Sequence, residues 1–353
     1  MPTAPKASDH FANGRFFTPG ASPQPFRQFL KWITHRKMGP WPKFIETQPG
    51  PRPSERFFAD DLVVTFVNHS TFLLQTAGLN LLTDPVWSDR VSPIPFLGPR
   101  RHRNPGLRLQ DLPPIDAILI SHNHYDHLDL PTLRRLSAKH RPAVFCPLGL
   151  RPLLVRAGLT DIHELDWWQK TSWRNIDIHC VPAQHFSART PFDRDRTLWC
   201  GWIFGSQGGQ IYFAGDTGFG PHFAQIASRF PPPRLALLPI GAFQPEWFMG
   251  PVHMSPEQAI EAQRILSART AIATHFGTFA LADDGLTAPT DRLQAALSTQ
   301  HPKPDFLVLT EGEARPLPPA HRSTEDPPQL PRTANPDSPK PFSHPAHRTA
   351  PPL

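Results

Sequence analysis

The stretch Ser121-His122-Asn123-His124-Tyr125-Asp126-His127-Leu128-Asp129 decides the fold of this chain. Its metal-capable side chains fall within six positions; they are His122, His124, Asp126 and His127. The apolar run at 117–120 is typical of a buried strand, so we predict these side chains on the loop that leaves its carboxyl end. The first two histidines are expected to share a side, and a turn at Tyr125 brings the other pair to a second point. Two pairs at two points suit two metal ions a few ångströms apart.

Further metal-capable side chains follow later apolar runs, each at a predicted strand end: His185, Asp216 and His275. The pattern H-x-H-x-D-H resembles the signature of the metallo-β-lactamase fold. That resemblance implies a ligand set of two zinc ions. The set implied is His122, His124 and His185 for one ion, Asp126, His127 and His275 for the other, and Asp216 as the bridge.

The element order also predicts a four-layer αββα sandwich, an α/β (α+β) fold. An initial hairpin, a strand at 62–74 and a return strand at 79–83, precedes alternating strands and helices. Ser255 to Gln258 reads as a capping box that opens a helix to about residue 267. We predict an N-terminal Pro-rich extension over 1–60, a hydrolase domain over 61–318 and a disordered tail over 319–353. Apolar residues at 26, 29, 30 and 33 predict a short helix in the extension, which either docks on the domain or touches a membrane surface. Residues 316–353 hold 12 prolines and few large apolar residues.

Composition limits the partners and the location of the chain. The 353 residues carry a net charge of +6, which suits anionic partners such as nucleic acid, phosphorylated metabolites or lipid headgroups. The basic cluster at 100–103 is either a solvated loop or an anion-facing one. Three cysteines without C-x-x-C spacing predict reduced thiols. No apolar segment suits a signal peptide or a membrane span, so we expect a cytoplasmic protein whose membrane contact is confined to its surface, at the inner face.

Further motifs narrow the family. They are Leu82-Thr83-Asp84-Pro85-Val86-Trp87-Ser88, Leu112-Pro113-Pro114-Ile115-Asp116, Glu164-Leu165-Asp166-Trp167-Trp168 and His275-Phe276-Gly277-Thr278-Phe279-Ala280-Leu281-Ala282. From about residue 60 to 315 the chain resembles the N-acylphosphatidylethanolamine-hydrolysing phospholipase D family. The resemblance implies zinc-dependent hydrolysis of a phosphodiester to phosphatidic acid and an N-acylethanolamine, and it leaves a homodimer open. One departure is Asn68-His69-Ser70-Thr71, where the family typically has Gly-His-Ala-Thr.

The residues predicted to be catalytic are Asp126, within the metal motif, and His253. His253 precedes the capped helix, whose N-terminus favours an anion, so it is a candidate proton donor or phosphate contact. We expect His69 to support the metal site from behind. Asp84 and Asp129 either orient ligand imidazoles or serve turns and caps. Trp247-Phe248-Met249 either packs in the core or lines an acyl pocket.

The sequence is also compatible with other functions. A lactonase, another phosphodiesterase or a nuclease would use the same scaffold, although we expect no nucleic-acid partner because no separate basic domain is evident. A binding protein without activity is the third reading, and the complete ligand set counts against it. Iron or manganese would suit the same His and Asp side chains as zinc does.

Overall fold

The computed structural model describes residues 8–21, 25–58, 62–94, 96–206 and 208–320. The predicted tail from residue 321 onward lies outside the described residues, as does Asp61, the predicted start of the hydrolase domain. Within the described part no helix is long and apolar enough to cross a membrane.

A small N-terminal hairpin precedes two large sheets. It consists of β1 (Phe11–Ala12) and β2 (Arg15–Phe16). The first large sheet has seven strands: β3 (Leu62–Asn68), β4 (Thr71–Thr76), β5 (Leu79–Thr83), β6 (Ala117–Leu119), β7 (Ala143–Pro147), β8 (Ile162–Leu165) and β16 (Ala314–Leu317). Their order is β16-β3-β4-β5-β6-β7-β8, antiparallel from β16 to β5 and parallel from β5 to β8.

The second large sheet repeats this division. Its strands are β9 (Lys170–Trp173), β10 (Ile176–Val181), β11 (Gly201–Ser206), β12 (Gly209–Phe213), β13 (Leu235–Pro239), β14 (Thr270–Thr274) and β15 (Phe306–Leu307). In the order β15-β14-β13-β12-β11-β10-β9, the pairs from β15 to β12 are parallel and those from β12 to β9 are antiparallel.

Helices cover the outer faces of both sheets. They are α1 (Phe26–Thr34), α2 (Leu130–His140), α3 (Arg151–Arg156), α4 (His222–Arg229), α5 (Glu246–Met249), α6 (Pro256–Leu266) and α7 (Ala288–Ser298). The inner faces share one core, in which Phe66 and Phe72 of the first sheet join Trp202 and Phe213 of the second. Leu133 of α2 packs on the far side of the first sheet. The strands read as continuous apolar runs because both of their faces are buried, and the αββα prediction is confirmed.

One predicted element differs from the structure, and another is present as predicted. The strand expected at 62–74 is two strands, β3 and β4, joined by a turn at His69, whose φ is +50°. Because the apolar run continues on both sides of Asn68-His69-Ser70, hydrophobic pattern alone hides this turn. The helix predicted after Ser255 is present as α6 with both hydrogen bonds of the capping box.

The N-terminal extension packs on the domain. Its predicted short helix is present as α1, where Trp32 stacks on Phe248 of α5 at 5.0 Å between ring centroids. In the hairpin, Phe16 joins the main core and its backbone N–H donates to the Asp195 carbonyl at 2.7 Å. His10, just before β1, is buried against the Trp167 ring at 4.3 Å. These contacts tie the described part of the extension to the edge of the second sheet and to α5.

Candidate metal centre

Seven predicted ligands meet at one rim of the sandwich. Four lie on the loop after β6, and His185, Asp216 and His275 follow β10, β12 and β14. Carboxyl ends of neighbouring parallel strands meet at one edge, which is why residues far apart in sequence converge here.

The first group is a set of three imidazoles. His122 Nε2 lies 2.8 Å from His124 Nδ1, which lies 3.2 Å from His185 Nε2. Asp216 Oδ2 is 4.0 Å from His122 Nε2 and 3.8 Å from His185 Nε2. Nitrogens this close surround a point that a cation of zinc's size can occupy.

The second group shares Asp216 with the first. Asp216 Oδ2 lies 3.2 Å from His127 Nε2 and 3.0 Å from His275 Nε2. Asp126 Oδ2 lies 3.3 Å and 3.4 Å from the same two nitrogens. One carboxylate therefore stands between the two groups, as a bridging ligand must.

Gly215 lets Asp216 reach this position. Its φ is +62°, and an added Cβ would lie 2.6 Å from the Cβ of Ser121, next to His122. A side chain at 215 would therefore push β12 away from the loop that carries the first histidines.

Protonation in the site follows burial and charge. Burial lowers the pKa of His124 to about 4 and lowers the pKa values of His122 and His185 well below the ordinary value. Burial alone would also lower the pKa of His275, but the carboxylates of Asp216 and Asp126 raise it to about 9. Burial would raise the carboxyl pKa values, yet the imidazoles hold those of Asp126 and Asp216 well below the ordinary value.

The donor set fits a divalent metal. His127 Nε2, His275 Nε2 and Asp216 Oδ1 are buried without a hydrogen-bond partner among the described residues. Buried polar atoms are rarely left unpaired, and a cation between the rings would satisfy the two nitrogens. Deprotonated imidazole and carboxylate are the ligands that zinc and its neighbours bind.

Three of the ligand rings, those of His122, His127 and His185, are held from behind by their other nitrogens. Asp84, fully buried, lies 2.6 Å from His127 Nδ1 and accepts the backbone N–H of Ser121 at 2.7 Å. The Ser121 hydroxyl lies 2.8 Å from His122 Nδ1, and His185 Nδ1 donates to the Val252 carbonyl at 2.9 Å. These bonds fix which nitrogen of each ring faces the centre.

Asp129 serves a different purpose. Its carboxylate accepts the backbone N–H groups of Trp87 and Ser88 and the Thr132 hydroxyl, and among the described residues no imidazole contacts it. The sequence leaves two roles open for Asp84 and Asp129. In the structure Asp84 orients a ligand ring, and Asp129 supports a turn.

Three further residues surround the centre. His69 Nε2 lies 3.0 Å from Asp126 Oδ2, as a supporting residue would, and burial lowers the pKa of His69 to about 4. The His253 ring lies 5.1 Å from the His185 ring and 5.2 Å from the His275 ring. Arg189 was missed by sequence reasoning, which has no signal for it. Its Nη1 donates to the carbonyls of Asn123 and Leu128 and clamps the motif loop at both ends.

Comparison with known proteins agrees with this geometry. A family model described as a beta-lactamase superfamily domain matches residues 79–276, more than half of the chain. An N-acyl-phosphatidylethanolamine-hydrolyzing phospholipase D of Caenorhabditis elegans is 33% identical over 309 residues, which cover 82% of this chain and 86% of that protein. The chain belongs to the N-acylphosphatidylethanolamine-hydrolysing phospholipase D family.

Other relatives agree at the level of fold. An uncharacterised protein of Mycobacterium tuberculosis is 40% identical over 261 residues, covering 72% of this chain and 69% of that protein. The solved structure of a metallo-hydrolase from Ignicoccus hospitalis has a TM-score of 0.56 at 22% identity, covering 73% of this chain and 98% of that one. The family, the fold and the His/Asp cluster together make this chain a metal-dependent hydrolase of the metallo-β-lactamase fold.

Within this family member, the basic cluster at 100–103 has mainly a structural role. Arg101 is buried, with Nε donating to the Ser88 carbonyl, and Arg103 pairs with Glu311 at 2.7 Å. Arg100 pairs with Asp89 on the surface at 2.9 Å. The expectation of a solvated loop is wrong for Arg101 and Arg103, because Arg101 donates to the carbonyls of Ser88 and Val86 and Arg103 donates to the Glu311 carboxylate.

The apolar segment at 247–249 divides between core and surface. Phe248 and Met249 are buried with Ala242 and Ala282, whereas Trp247 is 48% exposed. The prediction that this segment packs in the core is therefore correct for Phe248 and Met249, whereas Trp247 is a surface residue.

Proposed function

We propose that this protein is a zinc-dependent phosphodiesterase that cleaves N-acylphosphatidylethanolamine-type phospholipids to phosphatidic acid and an N-acylethanolamine. The observation that carries the proposal is the pair of ligand groups joined by Asp216, in a chain that aligns with most of a relative named for this reaction. A cytoplasmic location, contact with a membrane surface and a homodimer accompany the proposal as predictions.

The seven ligands would hold two zinc ions. His122, His124 and His185 would hold one, Asp126, His127 and His275 the other, and Asp216 would contact both. When bound, such ions lower the pKa of water and offset the charge on non-bridging phosphate oxygens. Asp126 is the predicted ligand that also contacts His69, so its orientation at the second ion depends on β3 and the turn that follows it.

The position of the His253 ring beside both ligand groups supports a contact with the substrate. Burial lowers the pKa of His253 to about 3, so the ring is neutral near pH 7. Its Nδ1 is buried without a partner among the described residues. A neutral imidazole can donate an N–H hydrogen bond to a phosphate oxygen but is a poor source of a whole proton. Of the two roles that the sequence gives His253, this favours the phosphate contact.

Product analysis by mass spectrometry tests the function. Purified zinc-loaded protein should be offered N-acylphosphatidylethanolamine, phosphatidylethanolamine, an acyl-homoserine lactone and single-stranded RNA. We expect phosphatidic acid and N-acylethanolamine from the first substrate, and none from an Asp216→Ala control. Opening of the lactone without release of phosphatidic acid would reject the phospholipase proposal in favour of a lactonase.

A further inference from the structure

A segment of the N-terminal extension crosses the loop at 282–286, and this segment, residues 32–41, is here termed the strap. The Asp283 carboxylate of the loop accepts a charged hydrogen bond from Arg36 Nε at 3.0 Å. The Gly39 backbone N–H donates to the Asp283 carbonyl at 2.7 Å. The strap therefore fixes the position of this loop. Further hydrogen bonds to the loop come from Trp32, Lys37 and Trp41.

The strap and the loop also touch backbone to backbone. A Cβ added at Gly39 would lie 2.4 Å from the backbone nitrogen of Gly285. Next to this contact, the Leu286 backbone N–H donates to the Pro40 carbonyl at 3.1 Å. Only a residue without a side chain fits at position 39, because the two backbones leave no room for one.

The loop connects the strap to the metal centre through Asp284. Its buried carboxylate accepts the backbone N–H groups of Ala242 at 2.8 Å and Gln244 at 3.0 Å. These residues follow Gly241, where an added Cβ would lie 2.0 Å from the carbonyl oxygen of His275. Asp284 therefore holds the segment on which the backbone of the predicted ligand His275 rests.

Trp41 of the strap lies beside the same ligand. Trp41, Asp284, His69 and His275 line one cavity of about 10 Å³. The Trp41 indole N–H donates to the Asp284 carbonyl at 2.8 Å, which fixes the indole at the wall of this cavity. Because so little space remains, the His275 ring cannot turn without displacing its neighbours.

His275 depends on this packing because it lacks the hydrogen bond that orients other ligand rings. The Nδ1 atoms of His122, His127 and His185 each have a polar partner behind the ring. The Nδ1 atom of His275 is buried with no hydrogen-bond partner within the described part of the chain. Neighbouring side chains and backbone must therefore orient this ring in place of a hydrogen bond.

A second route leads from the strap to the same ligand group. The Trp41 ring lies 4.7 Å from the His102 ring, and the His102 backbone N–H donates to the Thr278 carbonyl at 2.8 Å. The Thr278 hydroxyl accepts the backbone N–H of His69 at 3.0 Å, and His69 Nε2 contacts the predicted ligand Asp126. Both routes from the strap thus end at predicted ligands of the second ion.

We propose that Trp41 and Asp284 are positioning residues for the metal ligand His275, and that the strap holds them in place. The N-terminal extension is thereby part of the metal centre. It raises the affinity for the ion assigned to Asp126, His127 and His275 and has no such effect on the other ion. The inference rests on the ligand assignment of the proposed function and is independent of the substrate.

Metal titration of the full chain tests this role. Zinc-free protein should be titrated with zinc in competition with a chromogenic chelator. The His275→Ala variant identifies the binding step of the second ion, because it removes one ligand of that ion. We expect Trp41→Ala to weaken the same step by at least about 10-fold and to leave the other step within about threefold of the parent.

Two further variants test the role of each contact. Asp284→Asn should also weaken the second step by about 10-fold, because its NH₂ group opposes one of the two backbone N–H groups that the carboxylate accepts. This change is nearly isosteric, so it keeps the test decisive if Trp41→Ala does not fold. Trp41→Phe retains a ring at the cavity and loses only the indole N–H, so it should recover most of the lost affinity.

Arg56→Ala is the matched control within the extension. Its guanidinium donates to the Asp116 carboxylate at 3.2 Å and to the Gly78 carbonyl at 2.8 Å. Those partners precede β6 and β5, at the rim opposite the metal centre. The substitution should lower the melting temperature and leave both zinc-binding steps within about threefold of the parent.

The possible outcomes are distinct. An unchanged second step in Asp284→Asn and in Trp41→Ala would overturn the proposal, as would equal weakening of both steps or equal losses in Arg56→Ala. Binding steps that do not respond to His275→Ala would also overturn it, by removing the ligand assignment. Selective loss of the second ion, in a protein that cleaves no N-acylated lipid, would support this proposal and reject the proposed substrate.

Discussion

Asp84 connects two of the predicted ligands through one buried carboxylate. It contacts His127 directly and reaches His122 through the Ser121 hydroxyl. A carboxylate behind a ring keeps the proton on the nitrogen that faces the carboxylate and leaves the other nitrogen free to bind a metal. The side chain therefore acts on both predicted ions without touching either.

Asp84→Asn should weaken metal binding by about 10-fold to 100-fold, the usual effect of removing such support. An amide at 84 can present its NH₂ group to His127 Nδ1 and favour the wrong tautomer. Zinc affinity measured by competition with a chromogenic chelator checks this. Asp129→Asn is the matched control because Asp129 contacts no imidazole, and its zinc affinity should stay within about threefold of the parent. Equal losses in the two variants would show that Asp84 acts only on folding.

His253→Ala distinguishes the two roles of this residue. As a phosphate contact, the ring should support a nitrophenyl ester and an alkyl ester similarly, so both rates should fall by roughly 10-fold to 100-fold. As a proton donor, it should matter far more for the alkyl ester, whose leaving group needs a proton. Rates for a matched pair of diesters decide the question, and a loss confined to the alkyl ester would contradict the phosphate-contact role.

For single residues, the sequence predicts functional side chains that lie at strand ends and misses those whose role depends on tertiary contacts. His185, Asp216 and His275 were recognisable because each follows an apolar run. Arg189 was not recognisable, because its role depends on hydrogen bonds to carbonyls of another loop. An arginine in a polar loop has no distinguishing pattern in the sequence. The metal assignment itself stays a prediction, although the structure brings all seven side chains together.

Among the elements, the N-terminal hairpin contains an ionisable contact. His10 Nε2 lies 2.8 Å from Asp166 and Nδ1 lies 2.7 Å from Asp9, with Trp167 and Phe16 against the ring. Burial would lower the pKa of His10, but the carboxylates of Asp166 and Asp9 raise it above the ordinary value of 6.5. The protonated ring is therefore stabilised in the folded state.

The stabilising effect of His10 should depend on pH. Because the folded pKa is raised, the extra stability is complete below pH 6.5 and is lost as the pH rises through the folded pKa. The His10→Gln substitution should lower the free energy of unfolding by about 1–2 kcal/mol more at acidic pH than at alkaline pH. Urea unfolding on both sides of pH 6.5 checks this. Asp9→Asn, which alters an exposed partner, should show a smaller dependence of stability on pH. If the stability loss of His10→Gln does not change with pH, His10 stabilises the fold only through packing of its ring.

Element prediction succeeded where hydrophobic periodicity or capping is explicit, as for α1 and α6. It failed at Asn68-His69-Ser70, where a turn lies inside an apolar run. The antiparallel strand β9 went unassigned, since Lys170–Trp173 alternates only between exposed and half-buried positions. A strand at a sheet edge carries little apolar signal.

At the scale of the whole molecule, the last described residues of the chain still contact the domain. Ala320 donates its N–H to the Gly208 carbonyl at 2.9 Å, and the Pro319 carbonyl accepts from Arg269 Nη1 at 3.2 Å. The domain boundary predicted at 318 stays a prediction, but these bonds favour a boundary at 320.

Two truncations test this boundary. Removal of residues after Ala320 should leave the melting temperature unchanged, because the Pro-rich sequence beyond it has few groups able to join a core. Removal of residues after Leu317 should lower it by at least about 2 °C, since it deletes the bonds of Pro319 and Ala320. Differential scanning calorimetry measures both, and a large loss on the first truncation would show that the removed segment packs on the domain.

The division of the ligands between the two sheets has a mechanical consequence. Four ligands follow β6 of the first sheet, and the other three follow strands of the second. Ions held by all seven would fasten the two layers at one rim, while the opposite rim depends on packing and on protein contacts such as the ion pair of Arg174 with Asp116 at 2.7 Å. Chelation should then accelerate amide hydrogen exchange at the carboxyl ends of β6, β10, β12 and β14 and leave their amino ends unaffected. Stiffness in this sandwich would thus be unequal from one rim to the other, and the supply of metal would set the difference.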